Sequence, residues 1–312
     1  MSLLAAYLII IVIWSTTPLA IQWSSVDAGF LFGVTARMCI GLVACSLYLT
    51  VTGTKLPRSK QAIQSYLAAG LSVYCAMLAT YWSAQYIPSG LISVIFGLSP
   101  LVTGICAARL LPNETFTFGR FLAACLGLFG LFIIFHQSEE HQQIHWYGIV
   151  GMLFAVTTYS LSSVLIKRIE FNASGLVITT GGLLFAVPAF CLTWWIFDGN
   201  TSIQIGPRTW ASILYLGICG SVIGFTLYYH VLQRMSASRV ALITLVTPVN
   251  ALILGTSLNG ETIGTRILIG TLLILCALAF YEWGDGVFRR LGLEQIQIKK
   301  RISKLALNNK DL

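Results

Sequence analysis

Residues 61–108 read QAIQSYLAAGLSVYCAMLATYWSAQYIPSGLISVIFGLSPLVTGICAA and contain no Asp, Glu, Lys or Arg over 48 positions. A single helix of this length, rising 1.5 Å per residue, would extend far beyond the roughly 30 Å hydrocarbon core of a bilayer. The segment must therefore fold back on itself. Pro88 and Gly90 supply the turn signal, because together they end one helix and allow another to begin.

The composition of the whole chain agrees with a protein that spans a membrane. Of its 312 residues, 56 % are hydrophobic and 10 % are charged, and the mean hydropathy is +0.81. Soluble domains carry roughly a quarter charged residues, so the composition disfavours a soluble enzyme, a disordered protein and a secreted disulfide scaffold. We predict an all-α integral membrane protein with ten transmembrane helices, at about 3–21, 28–51, 66–86, 90–110, 117–135, 147–166, 174–197, 210–230, 237–258 and 263–283.

The N-terminal apolar segment is interpreted as a retained first span. No basic segment precedes it and no small-residue cleavage site follows it, as a signal peptide would require. With the N-terminus in the cytoplasm, 16 Lys and Arg lie in inner loops or the tail and two lie outside, while Arg37 falls within a span. Cytoplasmic loops carry such an excess, so both termini are predicted to be cytoplasmic. The formal net charge of +8 thus requires no nucleic acid partner.

Two segments of the chain resemble each other at a spacing of 148 residues. A tyrosine, a glutamine and a mid-span proline recur in the same order, as the pairs Tyr81/Tyr229, Gln85/Gln233 and Pro100/Pro248. These matches predict duplication of a five-span unit. Because five is odd, the second unit enters the membrane with the opposite orientation, which gives inverted repeats typical of transporters. The predicted divisions are a first repeat at 1–135, an extracytoplasmic linker at 136–145, a second repeat at 146–284 and a basic cytoplasmic tail at 285–312.

Few ionisable side chains fall inside the predicted spans. Arg37 lies ten residues into the second span. It is predicted to act as a counter-charge for a substrate carboxylate or phosphate, and the alternative is a structural role in which it reaches the outer interface or bonds helix-end carbonyls. Glu114 and Glu261 precede the fifth and tenth spans and are predicted to cap helix N-termini at the interface. No Asp or Glu lies mid-span in the sequence. His230 is therefore the candidate for a protonation role, and an interfacial histidine is the alternative.

Aromatic and small polar side chains form stripes that indicate a solute cavity. Tyr74, Tyr81 and Gln85 share one face of the third span. Pro100 and Pro248 are predicted helix hinges, since each releases a backbone carbonyl that polar neighbours or cavity water can satisfy. Further candidates for the cavity wall are Trp14, Thr17, Ser99, Tyr229, Thr247 and Asn250. The alternative is that such small residues serve close helix packing.

Other chemical motifs do not point to a second function. The eight cysteines fall inside predicted spans without CxxC spacing and are expected to pack as small apolar residues. Three histidines of the linker surround Glu139-Glu140, but loop spacing does not impose tetrahedral zinc geometry, so we predict no metal site and no cofactor. The sequence lacks HExxH, GxSxG and a phosphate-binding loop, so no enzymatic activity is predicted. The tail is predicted to lie as a basic amphipathic helix on anionic lipid, with a simple solvated tail as the alternative.

The chain resembles the EamA-type exporters of the drug/metabolite transporter superfamily over about residues 1–284. In the first half the matching residues are Trp14-Ser15, Arg37, Tyr81 with the Ala84 to Ile87 turn, and Pro100 with Glu114. In the second half they are Gly217 to Gly224, Tyr228-Tyr229, Ser236 to Arg239, and Pro248 with Gly260-Glu261. Asn113 departs from the pattern, because a glycine commonly precedes the acid there.

The resemblance implies a ten-span carrier of the bacterial inner membrane that moves small metabolites outward, often amino acids or related amphipathic compounds. It also implies a central cavity, for which the candidates here are Trp14, Tyr74, Tyr81, Tyr159, Tyr229, Thr247 and Asn250. We therefore predict a secondary transporter of a small-molecule substrate that works by alternating access. Uncharged walls with aromatic faces favour neutral, zwitterionic or aromatic solutes.

Two alternatives remain open at the level of sequence. A carrier of anionic solutes such as nucleotide sugars predicts more cationic side chains than Arg37 alone. A membrane scaffold or sensor without transport predicts a dry, fully packed midplane. The presence of a cavity inside the bundle separates the second alternative from a carrier.

Overall fold

The computed structural model describes residues 3–111, 117–135, 145–199, 204–234 and 237–290, and this part of the chain contains helices and turns without strands. Its helices are α1 (Leu3–Ser25), α2 (Gly29–Val51), α3 (Lys60–Ser83), α4 (Ser89–Phe96), α5 (Ser99–Leu110), α6 (Phe118–Phe135), α7 (Trp146–Ile169), α8 (Gly175–Phe197), α9 (Pro207–Tyr215), α10 (Phe225–Arg234), α11 (Ala237–Asn259) and α12 (Thr265–Arg290). A π-helical segment, Leu216–Gly224, joins α9 to α10. Glu114, residues 136–144 of the linker and the tail from residue 291 lie outside the described residues.

Two of the predicted spans are interrupted. The fourth consists of α4 and α5, which meet at Gly97 and Leu98, and Pro100 lies in the first turn of α5. Proline suits that position because its missing N–H would have no helical acceptor there. Pro100 therefore starts a helix, whereas Pro248 lies inside α11. The eighth span contains the π-helical segment, a feature that is frequent at functional sites.

The start of α3 differs from the boundary that hydropathy predicts. The helix begins at Lys60, six residues before the predicted span. Ser59 explains the difference, because its Oγ accepts a hydrogen bond from the N–H of Ala62 at 3.2 Å. A serine N-cap satisfies one of the free N–H groups of the first turn. The polar first turn is therefore helical, although hydropathy alone places these residues outside the apolar span.

The helices present apolar side chains outward, as a membrane protein requires. Leu47 is 62 % exposed and Phe197 is 77 % exposed, while Ser24 and Ser160 are fully buried. In the described residues, seven helical stretches are long and apolar enough to cross a membrane: Leu3–Ser25, Gly29–Val51, Lys60–Ser83, Ser89–Leu110, Trp146–Ile169, Gly175–Phe197 and Pro207–Val231. Gly119–Ile134 and Thr265–Tyr281 are shorter apolar helices. The chain is a multi-pass integral membrane protein.

The helix connections lie at two ends of the bundle. At one end, which we call the Asp27 end, hydrogen bonds join segments between helices that are far apart in sequence. The Asp27 carboxylate accepts from the Gly206 N–H, the Tyr86 carbonyl accepts from the His145 N–H, and the Glu261 carboxylate accepts from the Ser89 N–H. At the other end, Leu56 after α2 and Phe171 after α7 belong to one apolar cluster with Tyr66. This alternation agrees with antiparallel neighbours. The charge distribution predicts that the Asp27 end is extracytoplasmic.

The closest helix pairs join one predicted repeat to the other. α1 packs on α11, α3 on both α7 and α8, and α6 on α12. Glycines allow the last of these pairs to approach closely. A Cβ added to Gly130 would lie 2.8 Å from the carbonyl oxygen of Gly270, and a Cβ added to Gly270 would lie 2.6 Å from that of Gly130. Such small-residue contacts are the usual means by which membrane helices pack.

Candidate functional site

An internal cavity of about 80 Å³ lies between helices of the two predicted repeats. Its apolar wall is formed by Trp14, Pro18, Ile21, Met77, Ile92, Phe96 and Phe225. Its polar side chains are Thr17, Arg37, Thr80, Ser93, Tyr159 and Thr247. The backbone of Gly97, at the α4–α5 break, and of Gly220, in the π-helical segment, completes the wall. A mostly apolar pocket with a few converging polar groups is the usual form of a small-molecule site.

Among the described residues that line this cavity, Arg37 is the one with a charged side chain. It is 2 % exposed, and its Nε donates a hydrogen bond to Ser221 Oγ at 3.0 Å. Its guanidinium carbon lies 6.0 Å from the centroid of the Tyr81 ring. The Nη1 atom is buried and makes no hydrogen bond. A buried cation is costly unless it is paired, and no described side chain supplies a counter-charge to Arg37.

The π-helical segment provides the space that Arg37 occupies. A Cβ added to Gly220 would lie 3.0 Å from Nη2 of Arg37, and a Cβ added to Gly217 would lie 2.7 Å from a methyl carbon of Ile40. Residues with side chains at these two positions would therefore displace α2 or its arginine. Ser221, in the same segment, supplies the acceptor for Nε. The widened turns thus hold the guanidinium in place.

Aromatic rings border the cavity in a continuous series. The Trp14 and Tyr228 ring centroids lie 5.3 Å apart, those of Tyr228 and Tyr159 5.6 Å, and those of Tyr159 and Phe96 5.1 Å. These separations are typical of attractive tilted packing. The aromatic wall therefore offers ring faces to a solute.

The structure brings five of the predicted cavity residues together: Trp14, Thr17, Arg37, Tyr159 and Thr247. The predicted stripe on α3 lies elsewhere. The Tyr74 hydroxyl lies 2.6 Å from Thr193 Oγ1 on α8, and the exposed Gln85 donates to the Trp82 carbonyl. Tyr81 is fully buried next to Arg37, and its hydroxyl accepts a hydrogen bond from Ser24. Tyr74 therefore packs α3 against α8, whereas Tyr81 contacts α1 and α2.

Three further candidates also lie outside the cavity wall. Tyr229 packs on Tyr228, with ring centroids 5.4 Å apart. The Asn250 amide donates to Ser15 Oγ at 3.3 Å and so joins α11 to α1. The Ser99 carbonyl accepts a hydrogen bond from Ser160 at 3.2 Å. Asn250 and the Ser99 carbonyl thus join helices near the cavity, Tyr229 packs on its neighbour within α10, and none of the three lines the cavity.

Several residues of the wall were not among the predicted site residues: Met77, Thr80, Ser93, Phe96 and Gly220. Met77 and Thr80 lie about a quarter turn from the Tyr74–Tyr81 stripe at 100° per residue. The polar stripe of α3 predicts the cavity face, but in the structure Tyr74 contacts α8 and Tyr81 contacts α1 and α2. Gly220 carried no signal in a single sequence, because its role depends on the π-helical geometry. Ser93 lies four residues before the α4–α5 break, whereas the sequence predicts the hinge at Pro100.

Glu261 caps a helix of the other repeat. It is 8 % exposed, and its Oε1 accepts hydrogen bonds from the N–H of Ser89 at 3.1 Å and from the Ser89 hydroxyl at 2.6 Å. Its Oε2 accepts from the N–H of Gly90 at 3.3 Å. The sequence placed this carboxylate at the interface, ahead of its own helix α12. In the structure it is buried at the N-terminus of α4, where the helix dipole favours a negative charge.

His230 lies outside the cavity wall. Its Nδ1 is 2.7 Å from Nη1 of Arg234, one turn further along α10. The neutral ring accepts this hydrogen bond when Nδ1 carries no proton. A protonation role for His230 stays a prediction, and no contact described here links the histidine to the cavity.

At the Asp27 end of the bundle, the Asp27 carboxylate makes hydrogen bonds whose contribution to stability depends on pH. Its carboxylate accepts hydrogen bonds from Thr209 Oγ1 at 2.6 Å and Gly206 N at 2.8 Å, and these bonds lower its pKa below the ordinary value of 3.8. The lowered pKa means that the ionised form stabilises the fold above about pH 3.8 and that this contribution is lost on further acidification. Asp27→Asn is expected to lower the Tm in detergent modestly at pH 7, with a smaller difference from wild type at pH 3. An unchanged Tm difference at the two pH values would contradict this assignment.

Comparisons with known proteins agree with this architecture. The model of the EamA-like transporter family matches residues 1–136 and 146–282. Among curated relatives, "Uncharacterized transporter YoaV" of Bacillus subtilis is 26 % identical over 85 % of this chain and 91 % of its own length. "Uncharacterized inner membrane transporter YedA" of Escherichia coli is 22 % identical over 92 % of both chains.

Two further comparisons extend the similarity. "Probable amino-acid metabolite efflux pump" of Escherichia coli is 24 % identical over 73 % of this chain and 79 % of its own length. A solved crystal structure with 19 % identity covers 89 % of this chain and 97 % of its own, with a TM-score of 0.64, and shows the same fold. The family match extends over both halves of the sequence and over every helix that lines the cavity. The chain therefore belongs to the EamA-like transporter family.

Proposed function

We propose that this protein is a secondary transporter, acting as an exporter, that carries small metabolites such as amino acids or related amphipathic compounds by alternating access. The observation that carries the proposal is the cavity inside the bundle, whose wall combines residues from both repeats. A site between two repeats can be exposed to either side of the membrane when one repeat moves against the other. The names of the relatives as transporters support the same conclusion.

The proposed topology has ten spans arranged as two inverted five-helix repeats. In it, α4 with α5 forms one span, and α9, the π-helical segment and α10 form another. Both termini lie in the cytoplasm of a bacterial inner membrane, since this placement puts 16 basic residues inside and two outside. The hydrogen bonds between repeats at the Asp27 end then close the extracytoplasmic side of the cavity.

Two other functions receive less support from the cavity. A nucleotide-sugar carrier must compensate several negative charges, and the described lining residues include a single cation, Arg37. A scaffold without transport needs no cavity, because a packed interior is more stable than one with empty space. A small solute with little net charge fits the lining better than either alternative.

The direct test is counterflow in proteoliposomes. Purified protein would be reconstituted and preloaded with members of an amino-acid, sugar and drug panel, with and without imposed pH and Na⁺ gradients. Accumulation of a labelled solute against excess unlabelled solute supports a carrier. Absence of counterflow for every class, in protein shown to be folded, would overturn the proposed function.

A bulky substitution in the cavity is expected to stop transport without unfolding the protein. Thr247 is 5 % exposed and lines the cavity, whereas its neighbour Val246 is 43 % exposed on the outer surface of α11. We expect Thr247→Trp to reduce counterflow at least tenfold, since an indole would occupy much of a cavity of about 80 Å³. Val246→Trp is the matched control and should transport nearly as well as wild type. Equal activity of the two variants would contradict a transport route through this cavity.

A further inference from the structure

We infer that the transported solute carries a single carboxylate, and that Arg37 binds it through Nη1. This inference rests on the proposed function and narrows it to amphipathic monocarboxylates, including zwitterionic amino acids with apolar side chains. The geometry that carries it is a buried guanidinium on the cavity wall whose Nε is already bonded and whose Nη1 has no acceptor.

Among the residues whose side chains the structure describes, none offers an internal counter-ion to Arg37. The carboxylates of this set lie at helix ends: Asp27 between α1 and α2, Glu170 after α7, Asp198 after α8 and Glu261 between α11 and α12. Arg37 lies well inside α2, with its backbone and side chain against the π-helical segment. A carboxylate oxygen entering the cavity would give Nη1 a charge-assisted hydrogen bond. It would also neutralise a buried charge that the empty protein leaves uncompensated.

The same wall limits the charge and shape of the solute. One guanidinium compensates one negative charge, so a dianionic phosphate would keep a second charge in an apolar environment. The aromatic faces of Trp14 and Phe96 and the apolar side chain of Phe225 suit a hydrophobic or aromatic body. An ammonium group, where present, can interact with ring faces and with hydroxyl oxygens such as that of Thr17, whose own proton is donated to the Ile13 carbonyl.

Arg37 also has a structural contact, and the two roles predict different effects of substitution. If Arg37 only joined α2 to Ser221, removing it would lower stability and impair all solutes alike. If it binds substrate, its charge destabilises the empty protein, as buried unpaired charges do. Arg37→Gln is then expected to leave the Tm of the empty protein unchanged or raised. It should abolish binding only of solutes with a carboxylate.

The experiment uses four phenyl probes that differ only in charged groups: 3-phenylpropionate, phenylalanine, phenylalaninamide and 3-phenylpropionamide. A fifth probe, phenethyl phosphate, carries a dianion. Each is tested by the shift in Tm of the purified full-length chain and by counterflow, for wild type, Arg37→Gln, Arg37→Lys and Arg266→Gln. Arg266 is exposed at the start of α12 and serves as the matched control for loss of one positive charge.

We expect the two probes with a carboxylate, 3-phenylpropionate and phenylalanine, to raise the Tm of wild type and of the Arg266→Gln variant. We also expect each to compete with the other in counterflow. Arg37→Gln should weaken both effects at least tenfold, and Arg37→Lys should weaken them less, because lysine keeps the charge but not the planar guanidinium that holds Nη1 in position. Equal Tm shifts and equal counterflow with phenylalanine and phenylalaninamide would overturn the inference. Arg37-dependent binding of phenethyl phosphate that is tighter than binding of 3-phenylpropionate would also overturn it. Counterflow of other solutes without any response to the carboxylates would overturn it while leaving the proposed function intact. Arg37-dependent carboxylate binding without counterflow of any solute would refute the transport function and overturn the inference about a transported solute, leaving Arg37 as a carboxylate-binding residue only.

Discussion

Gly130→Leu is expected to prevent formation of the native bundle, because no side chain fits where α6 crosses α12. The Cβ of any residue at this position would lie 2.8 Å from the carbonyl oxygen of Gly270 and 3.0 Å from a side-chain carbon of Ile274. The nearest neighbour is backbone and cannot rotate away, so the two helices must separate. Overpacking of this kind costs about 1–3 kcal/mol for small increments, which is the effect expected of Gly130→Ala. The leucine variant should yield little or no monodisperse protein in detergent.

The control for this prediction is a glycine that has open space around it. A Cβ added to Gly264, just before α12, would meet nothing within 4 Å, and its backbone conformation is one that alanine adopts. Gly264→Ala should therefore unfold at nearly the wild-type temperature. Size-exclusion profiles and thermal unfolding of the three variants provide the measurement. A stable Gly130→Leu variant would show that α6 and α12 do not approach as closely as described.

Glu261→Gln is expected both to destabilise the protein and to open the Asp27 end of the cavity. The wild-type carboxylate accepts hydrogen bonds on both oxygens from Ser89 and Gly90, and a glutamine replaces one acceptor by an NH₂ donor. At least one buried N–H of the first turn of α4 then loses its acceptor, at a cost of about 1–3 kcal/mol. Because this contact joins the second repeat to the first, its loss should also favour states in which the two repeats separate at this end.

The two effects of Glu261→Gln are measured separately. Thermal unfolding in detergent reports stability. A cysteine at Ile92, in a background without native cysteines, reports access from the outside of cells to a membrane-impermeant thiol reagent. Glu170→Gln is the matched control, since Glu170 is exposed at the end of α7. Labelling at Ile92→Cys that does not increase in the Glu261→Gln variant would contradict a role of this contact in closing the cavity.

The fold class could be predicted from the sequence because it depends on summed properties. The charge-free run at 61–108 and the low charged fraction require membrane-spanning helices whatever their detailed packing. The breaks within helices are less accessible from sequence. Pro100 predicts a hinge, and the helix breaks just before it at Gly97 and Leu98, but the π-helical turns of Leu216–Gly224 depend on packing against α2, which is a tertiary effect.

The site was predictable only in part, for a reason that concerns helix rotation. Trp14, Tyr159 and Thr247 are predicted near a cavity because large aromatic or polar groups in apolar spans need a shared environment, and in the structure all three line the same cavity. Tyr74 satisfies that need with Thr193 on α8 instead. A periodic pattern identifies a polar face but not which neighbour the face meets. Glu261 illustrates the same limit, since its acceptor groups serve a helix about 170 residues earlier in the chain.

The pairing of α1 with α11, α3 with α7 and α8, and α6 with α12 has a consequence for biosynthesis. At roughly 5–20 residues per second, the ribosome needs about ten seconds or more after finishing α6 before it has made the last partner helix. During that time the glycine face of Gly130 and the guanidinium of Arg37 are in the membrane without the helices that later cover them. The nascent first half must therefore rely on lipid, the insertion machinery or a chaperone, and native assembly is completed only when α12 has entered the bilayer.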